Sequence, residues 1–95
     1  MKRYYVIFKG RVQGVGFRWT LCEIAQKYNI TGWCENLING DVDAEIQGED
    51  DDIDLFFKDV FIPQGYIRID DYALKSIKIK EDEHDFIPIY RENGT

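Results

Sequence analysis

The stretch Lys2–Asn29, KRYYVIFKGRVQGVGFRWTLCEIAQKYN, changes its periodicity part-way and thereby decides the architecture. Lys2–Lys9 is aromatic and β-branched, with apolar residues on both faces near its middle, so it reads as a central strand. From Phe17 the spacing becomes helical, with Phe17, Leu21, Ile24, Ala25 and Tyr28 falling on one stripe. Asn29 tolerates the left-handed conformation that ends helices. Between strand and helix lies GRVQGVGFR, Gly10–Arg18, which holds three glycines, a glutamine and two arginines.

The rest of the chain extends this start. Ile30–Glu35 reads as a second strand, Asn39-Gly40 as a hairpin signal, and Asp41–Gln47 as an alternating third strand with Val42, Ala44 and Ile46 on one side. Acids at Glu49–Asp52 precede an apolar stripe of Ile53, Phe56, Phe57, Val60 and Phe61, which predicts a second amphipathic helix with a solvated acidic opening. No ligand-spaced cluster accompanies those acids, so no metal site is expected there. Pro63 and Gly65 end that helix. Ala73–Lys80 reads as a strand and Phe86–Tyr90 as a short last one, with Pro88 implying a sheet edge. The order β-α-β-β-α-β predicts an α+β, ferredoxin-like sandwich in one domain, residues 1–95, with an antiparallel sheet and both helices on one face.

Composition excludes several classes. The net charge of −6 disfavours nucleic acid and anionic membranes as partners. No apolar run approaches the ~20 residues of a membrane span, and no signal-peptide pattern opens the chain. Cys22 and Cys34 fit neither a C-x-x-C pair nor a disulfide framework, which predicts buried free thiols in a reducing cytoplasm. The charge is unevenly distributed. The first 22 residues carry Lys2, Arg3, Lys9, Arg11 and Arg18 and no acid, whereas the remainder sets seven basic residues against eighteen acids. A positive island of this kind predicts a small, compact anion as ligand.

The glycine-rich loop supplies chemistry for such a ligand. Backbone N–H groups at a helix start lack partners and carry partial positive charge. Glycines let the backbone curl around an anion, and Arg18 in the first helical turn adds a planar charged fork. A glycine-rich turn bearing a surface arginine is the competing reading. A P-loop is excluded because Phe17-Arg18 stands where Lys and Ser or Thr belong, and the dinucleotide fingerprint because Trp19 replaces its third glycine. In the second stretch, GWCENLINGDVDAEIQG (Gly32–Gly48), Asn36 closes a strand. It reads either as a turn residue or, since Asn39-Gly40 already supplies turn chemistry, as a group available for a site.

Taken together, GRVQGVGFR with GWCEN (Gly32–Asn36), Gly40-x-Val42 and Gly48 closely resembles the acylphosphatase family, over nearly the whole chain. The resemblance implies hydrolysis of acyl phosphates to a carboxylate and inorganic phosphate, with no metal, cofactor or covalent intermediate. It implies that Arg18 binds the phosphoryl group, that the backbone of Gln13, Gly14, Val15, Gly16 and Phe17 holds its oxygens, and that Asn36 orients the attacking water. Phosphate or sulfate is then an expected site ligand, and a cytoplasmic monomer the expected state. Glu35 stands where the family usually carries a basic or neutral residue, although alternation turns it away from Asn36. His84, the only histidine, lies outside both motifs and reads as a surface residue. The rival functions are a non-catalytic anion-binding module, a carbamoyl-phosphate-handling domain, and an interaction protein using its sheet face. An intact Asn36 counts against the first, and a chain of 95 residues against the second.

Overall fold

Lys2–Arg11 forms strand β1, the strand expected from its sequence and two residues longer. A computed structural model describes residues 1–90. After β1 come helix α1 (Phe17–Lys27), strands β2 (Thr31–Asn36) and β3 (Val42–Gly48), helix α2 (Asp50–Val60), and strands β4 (Arg68–Ile77) and β5 (Phe86–Ile89). The sheet order is β4-β1-β3-β2-β5, which makes β1 central and β5 an edge, as its Pro88 requires.

Alternation sorts the sheet into two faces. Tyr4, Val6 and Phe8 of β1 lie opposite Ile46, Ala44 and Val42 of β3. Those strand positions share one buried cluster with Phe17, Leu21, Ile24 and Ala25 of α1 and Ile53, Phe56 and Val60 of α2. Both helices therefore cover the same face. Asn29 ends α1 at φ 58°, and the Ile30 N–H donates back to the Ala25 carbonyl at 2.8 Å. Three acids open α2, where the positive helix end favours them, and Lys2 pairs with Asp50 at 3.6 Å.

Two expectations need correction. The sheet is mixed: β5 runs parallel to β2, with Gly32 opposite Phe86 and Cys34 opposite Pro88. The chain leaves β4 at one edge and crosses to the other, arriving in the direction of β2. Strand β4 also begins at Arg68 instead of Ala73: the register shifts between Lys9 and Gly10, with Asp70 of β4 the extra residue, and β1 keeps pairing as far as Arg11.

The second face carries a buried polar cluster at one end, the start of β1. Arg3 is 2 % exposed, and its Nε donates to Glu45 at 2.8 Å while Nη1 and Nη2 fork onto Glu83 at 2.7 and 3.2 Å. Nη1 also donates to Gln47 Oε1, and Gln47 in turn bonds both the N–H and the carbonyl of Lys80. These bonds pin the β4–β5 crossover onto β1 and β3. Burial opposes ionisation of Glu83, but the Arg3 hydrogen bond and charge outweigh it and hold the carboxyl below its usual range. Tyr5 donates to Asp43 at 2.8 Å, and burial together with that bond pushes its phenol up to about 12.

A depressed carboxylate stabilises the fold above its unfolded pKa, and that contribution is lost as pH falls through the folded value. Urea midpoints should therefore drop below about pH 4.5, and Glu83→Gln should flatten the drop while lowering stability at pH 7. Arg3→Leu, which strands two carboxylates, should cost about 3 kcal/mol at pH 7. A pH-independent midpoint between pH 3 and 6 for the unmodified chain would refute the assignment.

Candidate active site

Strand β3 is antiparallel to both β1 and β2, and β5 is parallel to β2. The C-terminal ends of β1, β2 and β5 consequently meet at one edge of the sheet. The glycine-rich loop leaves from the first, Asn36 ends the second, and Tyr90 follows the third.

The loop is anchored by alternate side chains. Val12 and Phe17 are buried and Val15 packs against the core, which leaves Gly14 and Gly16 at the surface. Phe17 meets Phe8 edge to face at 5.1 Å, fixing the first residue of α1 on β1. Gly14 and Gly16 have φ of 72° and 79°, and a Cβ at either would touch nothing within 4 Å. Backbone conformation, not crowding, is what demands glycine there. Gly16 is the N-cap of α1, no side chain caps the helix, and its first turn holds no acid. The Thr20 N–H bonds the Gly16 carbonyl at 3.0 Å, which leaves the earlier first-turn amides outside the helical ladder.

Gln13 does more than the sequence reading assigned to it. Its side-chain Nε2 donates to the Leu37 carbonyl at 2.6 Å and the Asp41 carbonyl at 2.8 Å. Those two carbonyls close the β2–β3 hairpin, where the Leu37 N–H also donates to Asp41 and the Gly40 N–H to Leu37. Asn39 bonds the Asp41 N–H through its own side chain, so the turn is complete without Asn36. Asn36 sits opposite Val42 on the helix-covered face and is 8 % exposed. Glu35 sits opposite Asp43 and points to the other face, as alternation requires.

Arg18 lies with its guanidinium over the Tyr90 ring, 4.4 Å from the centroid, and its Nη1 is buried without a hydrogen-bond partner among the described residues. The Cys34 thiol points at the Arg18 carbonyl at 3.9 Å, so the first turn of α1 rests on β2 two residues before Asn36. The structure thus brings Gln13–Arg18 and Asn36 to one edge. Sequence reasoning missed Tyr90, whose position after an edge strand gave no sign of its stacking partner.

The positive island does not survive folding as a cluster. Lys2 and Arg3 lie at the opposite end of β1, about 30 Å from Arg11 for a fully extended strand, and both are paired with acids. Lys9 pairs with Asp41 at 2.7 Å. A cavity of about 640 Å³, bordered by Trp19, Cys22, His84 and Phe86, lies beside α1 and touches neither Asn36 nor any of Gln13–Arg18. His84 is exposed, as expected. Among the described residues no group of three or more His, Cys, Asp or Glu is placed to hold a metal, and no helix is long and apolar enough to cross a membrane.

The acylphosphatase family model matches residues 4–88. The chain belongs to the acylphosphatase family. It is 38% identical over 86 residues to an acylphosphatase of Clostridium beijerinckii, covering 90% of this chain and 96% of that one. The crystal structure of acylphosphatase from Bacillus subtilis superposes with a TM-score of 0.88 at 30% identity, covering 95% of this chain and all of that one. HypF of T. kodakarensis also matches, with a TM-score of 0.83 at 30% identity, but there the chain covers only 12% of the larger protein. Acylphosphatases are hydrolases, and a small acyl phosphate, cleaved to a carboxylate and inorganic phosphate, is accordingly the substrate class of this chain.

Gln13→Ala removes two bonds, yet both carbonyls keep a backbone partner, so the stability loss should be about 1 kcal/mol. The catalytic loss should be larger in proportion, because the loop is no longer tied to the hairpin beside Asn36. Denaturant midpoints and kcat/KM on benzoyl phosphate measure the two effects. A kcat/KM within twofold of the unmodified chain would show that the tie is dispensable.

Proposed function

We propose that this acylphosphatase works by in-line attack of one oriented water on a phosphoryl group held by Arg18 and by the backbone amides of Gln13, Gly14, Val15, Gly16 and Phe17. The observation that carries the reading is the buried Nη1 of Arg18, without a hydrogen-bond partner among the described residues, at the same sheet edge as the start of α1, which no described side chain caps. A planar cation and a set of outward amides suit the equatorial oxygens of a phosphoryl group, where charge is spread in the transition state. Stacking on Tyr90 holds the guanidinium plane in position.

Asn36 orients the water. Its amide is neutral across the working pH range, so it positions the nucleophile and takes no proton. The water oxygen bonds to phosphorus as the P–O bond to the acyl group breaks and the carboxylate leaves. The water's proton passes to a phosphoryl oxygen of the substrate. The carboxylate is a good leaving group, so positioning and charge stabilisation suffice. We assign the activity to a single domain, residues 1–95, acting as a cytoplasmic monomer, with phosphate or sulfate as competing ligands.

Arg18→Ala should raise KM for benzoyl phosphate and lower kcat together, whereas Asn36→Ala should lower kcat by about 10² to 10³ with little change in KM. Turnover should stay nearly constant between pH 6 and 8. Normal hydrolysis by Asn36→Ala would remove its assigned role, and phosphate binding through Arg18 without turnover would make the protein an anion-binding module. A clear titration near pH 6.5 would demand a general base.

A further inference from the structure

We propose that Cys22 and Cys34 form an oxidisable pair whose closure to a disulfide displaces Arg18 and switches hydrolysis off. The two side chains converge on the join between α1 and β2, where Cys34 Sγ lies 3.9 Å from the Arg18 carbonyl and each thiol perturbs the ionisation of the other. Cys22 lies one helical turn beyond Arg18, and Cys34 lies two residues before Asn36 on the same sheet face. The pair therefore links the two elements that carry the site, immediately behind it. Cys34 also touches the Arg18 carbonyl directly.

The two sulfurs have unequal surroundings. Cys34 is fully buried, whereas Cys22 is half-buried and borders the cavity shared with Trp19, His84 and Phe86. Hydrogen peroxide entering that cavity meets Cys22 alone. The neighbouring Cys34 thiol lowers the Cys22 pKa, burial opposes this, and the Arg18 charge adds to the lowering. The same contact, together with burial, pushes the Cys34 thiol up. Cys22 is thus the thiolate that reacts first.

Its sulfur attacks the peroxide O–O bond, forming a sulfenic acid and releasing one water after proton transfer. Cys34 then attacks the sulfenic sulfur, losing its proton as the S–O bond breaks and a second water leaves. Two thiols lose two electrons and the peroxide gains them. A covalent bond holds two sulfurs far closer than any non-bonded contact of free thiols does, so the first turns of α1 must move toward β2. Arg18 travels with that turn. A displacement on the order of 1 Å at a positioning group costs up to about 10²-fold in rate.

The predicted loss of activity rests on the reading of Arg18 above, whereas formation of the disulfide does not. The test treats the reduced full chain with hydrogen peroxide, maps the linkage by peptide mass, and follows benzoyl phosphate hydrolysis. The expected result is a Cys22–Cys34 peptide pair, a fall of tenfold or more in kcat/KM, and recovery with dithiothreitol. Cys22→Ser, which leaves the buried site intact, should keep its activity in peroxide, and Cys34→Val provides the second arm. Oxidation without that linkage, or inactivation of Cys22→Ser at the unmodified rate, would overturn the proposal. So would a mapped disulfide with unchanged kcat/KM; if Arg18→Ala is inactive in the same assay, the site assignment stands and only the switch fails.

Discussion

One constraint underlies the whole arrangement: β3 lies between β1 and β2 and runs against both. Its two neighbours must therefore point the same way and finish at the same edge. The places of the glycine-rich loop and of Asn36 follow from that, and β5, parallel to β2, adds Tyr90. The loop leaving β1, the residue ending β2 and the tyrosine following β5 converge without any long excursion of the chain. A two-residue hairpin pairing of β1 directly with β2 would have sent those ends to opposite sides of the sheet.

The edge is then made rigid by bonds that contribute nothing to chemistry themselves. Buried Val12 and Phe17 hold the two sides of the loop, and Gln13 ties it to hairpin carbonyls 24 and 28 residues away. Lys9 and Asp41 add an ion pair across the same gap. At the opposite end of β1, Arg3 joins β1, β3 and the crossover in one polar cluster. Such pairings engage Lys2, Arg3 and Lys9, which leaves Arg11 and Arg18 as the basic residues of the N-terminal segment without an ion pair among those described.

Much of this was legible in the sequence because local pattern and global fold agree. The change of period at Phe17, the left-handed Asn29, the hairpin at Asn39-Gly40 and the edge position implied by Pro88 are each local signals, and each is found. What stayed hidden depends on distant partners. The parallel direction of β5 is set by where the crossover lands, not by the four residues of the strand. The early start of β4 goes with an extra residue, Asp70, bulged out of its pairing with β1, and β4 itself is almost wholly exposed, so its apolar residues lacked the alternation that marks a half-buried strand. Cys22 was expected to be buried and lies half-exposed beside a cavity instead. The positive island failed as an idea because adjacency in a strand is extension in space. Three of its five charges serve structure.

The place of β1 has a kinetic consequence. Its partners are β3 and β4, so none of its ladder hydrogen bonds is made with the strand that follows it in sequence. Arg3 meets Ile77 across the sheet and Glu83 at a separation of 80 residues. The entropy of closing those long loops is lost before the contacts that reward it can form. Sheet closure is therefore the slow step of folding, and until it occurs the loop, Asn36 and Tyr90 are on separate pieces of chain. The sheet edge that gathers the glycine-rich loop, Asn36 and Tyr90 is assembled late and all at once.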